Sequence, residues 1–179
     1  MKKLIILRGN SGSGKTTIAK ELQSRFGRNT MVISQDVIRR DMLKVKDGKD
    51  TPALFLMKEL LIYGKNNCKI VILEGILYSQ WYLPLFELSK ELFGDNIFAY
   101  YYDLPFEETL LRHQMKSNKD DFGENEMKKW WNERDFITII PEKTISKDMS
   151  VSDTVDMIYE DVSLLSHTSP GHPDPSFQN

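Results

Sequence analysis

The sequence predicts an α/β protein built on a parallel sheet. Short apolar runs alternate with helix-compatible stretches from Lys2 onward, the pattern of strand–helix–strand units whose strands pair in parallel. The first run breaks directly into a glycine-rich loop and then a helix. Two later runs lead into a carboxylate, Asp36 after TMVISQ and Glu74 after KIVIL, at the strand ends where open α/β sheets bind ligands. With 179 residues and 40% hydrophobic content, the chain suits one compact domain with a sizeable core.

Lys2 to Leu7 reads as a buried first strand, and the apolar run stops at Arg8. Gly9, Gly14, Lys15 and Thr16 then satisfy G-x-x-x-x-G-K-[ST]. The spacing lets a ring of backbone N–H groups over Gly9, Asn10, Ser11, Gly12, Ser13, Gly14, Lys15, Thr16 and Thr17 close around a phosphate. Lys15 reaches β- and γ-phosphate oxygens, Thr16 offers a hydroxyl to Mg²⁺, and the following helix adds its positive end. A chance match in an ordinary strand–loop–helix is the alternative reading. The strand before and the helix after are the context that makes nucleotide binding the better one.

The first helix runs from about Gly14 to Phe26 and is capped by Gly27, and Thr30 to Ser34 is the second strand. Asp36 follows it, with Arg39 three residues on, sharing a face if a helix starts there. Asp36 reads either as the base or orienting group for an acceptor hydroxyl, or as a helix N-cap. Arg39 reads either as a substrate or phosphate ligand, or as a solvated charge. Lys44 to Asp50 is a polar loop, and Thr51-Pro52 opens a helix to about Tyr63 that stops at Gly64. Lys69 to Leu73 is the third strand, and Glu74 beyond it is placed to hold Mg²⁺, directly or through water.

Tyr78, Trp81 and Tyr82 precede a helix beginning near Pro84. Such aromatics either stack on a base or cover the sheet, and Tyr78 is the one assigned to the acceptor site. Asn96 to Tyr102 is the fourth strand, and Pro105 opens a helix carrying Arg112, His113 and Lys116. Its basic end leads into a polar loop, either a closing lid or a solvated helix end, with His113 read as a surface residue. Asn118 to Asp121 matches N-K-x-D, and Asp120 to Gly123 contains D-x-x-G and D-F-G. These are set aside because no buried strand precedes them and no H-R-D accompanies them.

Glu124 to Phe136 reads as a helix with Met127, Trp130, Trp131 and Arg134 on one face, Arg134 serving as a second lid cation. Glu142 to Ser146 is a weak fifth strand. Ser150 or Ser152 caps a last helix to about Leu165 with a stripe of Val151, Val155, Ile158 and Val162. Residues 166–179 form a Pro-rich polar tail, read as disordered.

A net charge of −2 argues against a broad grip on a nucleic-acid backbone. Cys68 is the only cysteine, so no intrachain disulfide can form, which suits a reducing, cytoplasmic setting. No run approaches the roughly 18 apolar residues of a membrane-spanning helix.

Three islands, GNSGSGKTT at Gly9 to Thr17, ISQD at Ile33 to Asp36 and LEGIL at Leu73 to Leu77, resemble P-loop kinases that phosphorylate small-molecule hydroxyls, most closely the uridine kinase branch. The resemblance implies a three-layer P-loop fold, with a five-stranded parallel sheet flanked by helices and a helical lid at about 112–134 of a domain spanning 1–165. It implies ATP and Mg²⁺ as cofactors, Asp36 as catalytic base, Glu74 on the metal side, and Arg112 with its neighbours closing over the phosphates. The expected reaction is transfer of the γ-phosphate to a hydroxyl, most readily of a nucleoside. The interval between Asp36 and Glu74 is shorter than in uridine kinases. The D-x-x-R of Asp36 and Arg39 also looks like that of 5′-OH polynucleotide kinases and antibiotic phosphotransferases. A non-catalytic nucleotide-binding regulator is the alternative of a different class.

Overall fold

The computed structural model describes residues 2–114 and 123–164. Five strands form one sheet, β1 (Lys3–Gly9), β2 (Thr30–Ser34), β3 (Ile70–Gly75), β4 (Ile97–Tyr102) and β5 (Glu142–Ile145), in the order β2-β3-β1-β4-β5. Every pairing is parallel. The helices are α1 (Lys15–Phe26), α2 (Pro52–Asn67), α3 (Leu83–Phe93), α4 (Phe106–Gln114), α5 (Glu124–Lys129) and α6 (Val151–Leu164), with a π-helical turn at Val37–Met42.

β1 lies at the centre and is buried on both faces, as its unbroken apolar run requires. Leu4 and Ile6 point into a core shared with α2 and α3, through Leu54, Met57, Leu61, Leu85 and Phe86. Ile5 and Leu7 point into a second core shared with α1 and α6, through Ile18, Leu22, Val155, Ile158 and Val162. Two helical layers thus sandwich the sheet. Each of the four fully buried β1 side chains contributes about 1.5–3 kcal/mol.

Several boundaries differ from the sequence expectation. β1 continues through Arg8 to Gly9 because Arg8 is paired inside the fold. α2 does not stop at Gly64 but runs to Asn67. A Cβ at Gly64 would sit 2.7 Å from Val71 Cγ2, so the glycine allows α2 to approach β3 closely. The helix expected over 124–136 ends at Lys129, and Val151 is half exposed rather than part of the buried stripe of α6. Ser150 caps α6 reciprocally with Asp153: its hydroxyl accepts the Asp153 N–H at 3.1 Å, and its own N–H reaches Asp153 Oδ2 at 3.3 Å. Lys116, most of the set-aside loop motifs and the 166–179 tail lie outside the described residues. Among the described residues no helix is long and apolar enough to cross a membrane.

Candidate active site

The carboxyl ends of β1, β3 and β2, three adjacent strands, open on a cavity of about 970 Å³. The phosphate loop forms its floor: Ser11, Gly12, Ser13, Gly14, Lys15 and Thr16 all line it, as do Asp36, Arg39, Glu74 and Tyr78. Gly9 closes β1 below the loop, and Thr17 is exposed on α1. Gly12 has φ +83, and a Cβ there would lie 2.4 Å from the Thr109 carbonyl oxygen. Only glycine permits both the dihedral and the contact with α4.

Lys15 is held in the loop, its ammonium donating to the Asn10 carbonyl at 2.8 Å and to Ser13 Oγ at 3.0 Å. Glu74, 3% exposed, receives the hydroxyls of Thr16 (3.3 Å) and Ser34 on the same Oε1. This gathers hard oxygen donors from β1's loop, β2 and β3 at one point. Among the described residues no cluster of three or more His, Cys, Asp or Glu could hold a metal by itself. The Thr16–Glu74 pair fits Mg²⁺, which keeps several waters and takes one or two protein oxygens beside substrate phosphates.

Asp36 stands at the start of the π-helical turn without capping it through its side chain. Its carboxylate is 62% exposed and faces Arg39 Nη2 at 3.0 Å and Arg40 Nε at 3.5 Å. Wide helical turns of this kind cluster at functional positions; here the turn puts Asp36, Arg39 and Arg40 on one cavity wall.

The polar loop after it is pinned. Gln35, buried, donates Nε2 to Asp47 Oδ2 (2.9 Å) and to Tyr82 Oη (2.7 Å), and Tyr82 donates to Asp47 Oδ1 at 2.7 Å. Burial, reinforced by Asp47, pushes the Tyr82 hydroxyl above its ordinary range, so it stays a neutral donor. Trp81 does line the cavity, whereas Tyr82 is a core residue.

Sequence reasoning missed two features. Arg8, fully buried on β1, pairs with Asp135 at 2.7 Å and Glu142 at 3.1 Å and donates to the Leu77 carbonyl. Burial still holds the Glu142 carboxyl above its usual value, against the pull of Arg8. Asn10 exchanges two amide bonds with the Asn132 backbone, at 2.8 and 2.9 Å. Together these tie residues 130–137 to the phosphate loop and place Trp130 and Asn132 on the cavity wall. Asp135, Glu142 and Asn132 lie more than 120 positions from their partners in sequence; the one local signal was a charge inside an apolar strand.

The expected lid residues separate. Arg112 bridges Glu108 (2.6 Å), the Ser13 carbonyl (3.1 Å) and the Lys147 carbonyl (3.3 Å), at the edge of the loop. His113 is buried rather than superficial and lines the cavity. Arg134, 67% exposed with φ +47, faces Asp103 at 3.7 Å on a second cavity of about 520 Å³ beside Phe106 and Trp131, away from the main cavity.

A family model described as an AAA domain matches residues 4–75, the stretch from β1 to the end of β3 that carries the loop, Asp36 and Glu74. No curated protein matches the chain. Among solved structures, a gluconokinase from Sinorhizobium meliloti is similar over 91% of this chain and 93% of its own, at 14% identity and TM-score 0.65. The tunicamycin resistance protein of Deinococcus radiodurans covers 91% and 96% at 17% identity and TM-score 0.60. The APS kinase of Mycobacterium tuberculosis, solved with AMPPNP and APS, covers 92% and 98% at 17% identity and TM-score 0.59. The chain therefore has the α/β fold of P-loop kinases, with the five-stranded parallel sheet flanked by helices.

Proposed function

We propose that the protein transfers the γ-phosphate of ATP to a hydroxyl of a small molecule. The observation that carries this reading is the convergence of Lys15, Thr16, Asp36, Arg39 and Glu74, from the ends of three neighbouring strands, on one cavity. A protein that only held nucleotide would have no use for Asp36 and its arginines opposite the phosphate loop. The match of residues 4–75 and the kinase names of two structural neighbours support the same class.

The loop N–H groups and Lys15 would bind the triphosphate, and Thr16 and Glu74 would hold Mg²⁺. The bound ion supplies charge neutralisation across the phosphates. Asp36, kept in place by Arg39 and Arg40, orients the acceptor hydroxyl and takes its proton as the oxygen attacks the γ-phosphorus in line. The new O–P bond forms, the bond from phosphorus to the β,γ-bridging oxygen breaks, and ADP leaves with the bonding electrons. Arg112 supports the loop through the Ser13 carbonyl and reaches the phosphates once it releases Lys147 or Glu108. In this reading the catalytic domain spans 1–165, with Arg112 rather than Arg134 beside the loop. Tyr78, Trp81 and Trp130 on the cavity wall suit an acceptor with a planar ring, and a nucleoside, free or carrying a charged group, is the acceptor we favour.

The test is ADP formation from MgATP against a panel of nucleosides, sugars, hydroxyl-bearing antibiotics and 5′-OH oligonucleotides. At least one acceptor should raise turnover about tenfold or more above background hydrolysis, a modest fraction of what positioning contributes. Tight MgATP binding with no stimulation by any acceptor would contradict the proposal and favour a nucleotide-binding regulator.

A further inference from the structure

Once Lys15 and Glu74 are set aside for the phosphate side, the cavity wall carries four fixed cations, Arg39, Arg40, Lys46 and Lys129, and two carboxylates, Asp36 and Asp47. Both carboxylates are already engaged. Asp36 faces the two arginines, and Asp47 receives Gln35, Tyr82 and the Gly48 N–H. Lys15 and Glu74 aside, the cavity lining thus carries more cations than carboxylates in a chain whose net charge is −2, a local excess that the overall composition does not supply.

Arg39 narrows the meaning of that excess. Its side chain is 17% exposed, one of its five N–H groups goes to Asp36 at 3.0 Å, and its Nε is buried with no hydrogen-bond partner among the described residues. Buried donors on a charged group are rarely left unmet.

We infer that the acceptor is itself an anion: a small hydroxyl compound bearing a phosphate, sulfate or carboxylate, held by Arg39 with Arg40 and Lys46 while its hydroxyl meets Asp36. The inference rests on the kinase reading above and deepens it. A guanidinium suits oxyanions because parallel N–H groups match their oxygens. Since Arg39 and Arg40 touch Asp36 directly, the anionic group and the reacting hydroxyl must lie within a few bonds of each other in the acceptor. The Tyr78–Trp81 pair lies edge to face at 5.1 Å on the same cavity.

The experiment compares matched acceptors with radiolabelled MgATP: nucleosides against nucleoside 3′-monophosphates, and aldoses against aldonic acids. The wild type should prefer the anionic member of a pair by about tenfold or more in kcat/KM, the worth of one charge-assisted hydrogen bond. Arg39→Gln and the exposed-site variant Lys46→Gln should each collapse that preference, with Arg39→Lys retaining part of it and MgATP affinity unchanged in all three. Because the readout is a ratio between two acceptors, a general loss of structure would not move it. Equal or better transfer to neutral members, or an unchanged ratio in Arg39→Gln, overturns the inference and leaves the kinase reading standing. A 5′-OH oligonucleotide outrunning every small anion overturns it in favour of a nucleic-acid acceptor. Transfer to no member, with MgATP bound, overturns the kinase reading and this inference with it.

Discussion

Gly12 joins the glycine-rich loop to α4. Its φ of +83 lies in the left-handed region, and its missing Cβ admits the Thr109 carbonyl of α4. Gly12→Ala therefore adds a left-handed penalty of roughly 1–2 kcal/mol and pushes α4 off the loop. We expect a lower melting temperature and weaker MgATP binding, measured by thermal unfolding with and without nucleotide. Unchanged affinity would show that α4 does not shape the loop. Asp36 and Glu74 were legible in the sequence because each follows an apolar run and a strand end is where ligands bind. Arg8 was not, because its meaning lies in Asp135 and Glu142, which only the folded chain brings to it. Breaking such a buried pair from one side leaves an uncompensated charge.

The segment from Lys44 to Asp50 read simply as a polar loop, and Asp47 anchors it to Gln35 and Tyr82 beneath the cavity. Tyr82→Phe keeps the ring in the core and removes the hydrogen bond to the Asp47 carboxylate, worth about 1.5–3 kcal/mol, together with the one accepted from Gln35. We expect faster amide exchange over residues 44–50 and a higher KM for the acceptor, with MgATP affinity held. Exchange indistinguishable from wild type would mean that the anchor does not hold the loop. The helix expected over 124–136 failed for a related reason. Its three- and four-residue spacing was compatible with a helix, but Asn10 takes both backbone groups of Asn132 and Arg134 adopts a positive φ. Long-range hydrogen bonds from the phosphate loop thus displaced local helical ones. Gly64 misled in the opposite direction, since a glycine that admits a neighbouring strand looks in sequence like one that ends a helix.

The three layers follow from the alternation along β1, Leu4 and Ile6 to one core, Ile5 and Leu7 to the other. That pattern, and four of the five strands, could be read directly because buried parallel strands are continuous apolar runs. β5 was faint because it is short and carries Glu142 and Lys143. The order β2-β3-β1 sets Asp36, Glu74 and the phosphate loop side by side, so that fold and site are one arrangement. If that arrangement transfers phosphate, Asp36 is the group that meets the acceptor. The most direct measurement pairs MgATP binding by calorimetry with the rate of transfer to the best acceptor, in wild type and Asp36→Asn. The variant should bind MgATP as the wild type does and transfer phosphate about 10²–10⁴-fold more slowly, the usual contribution of a positioned base. Transfer at a comparable rate would contradict the role given to Asp36 and the account built on it.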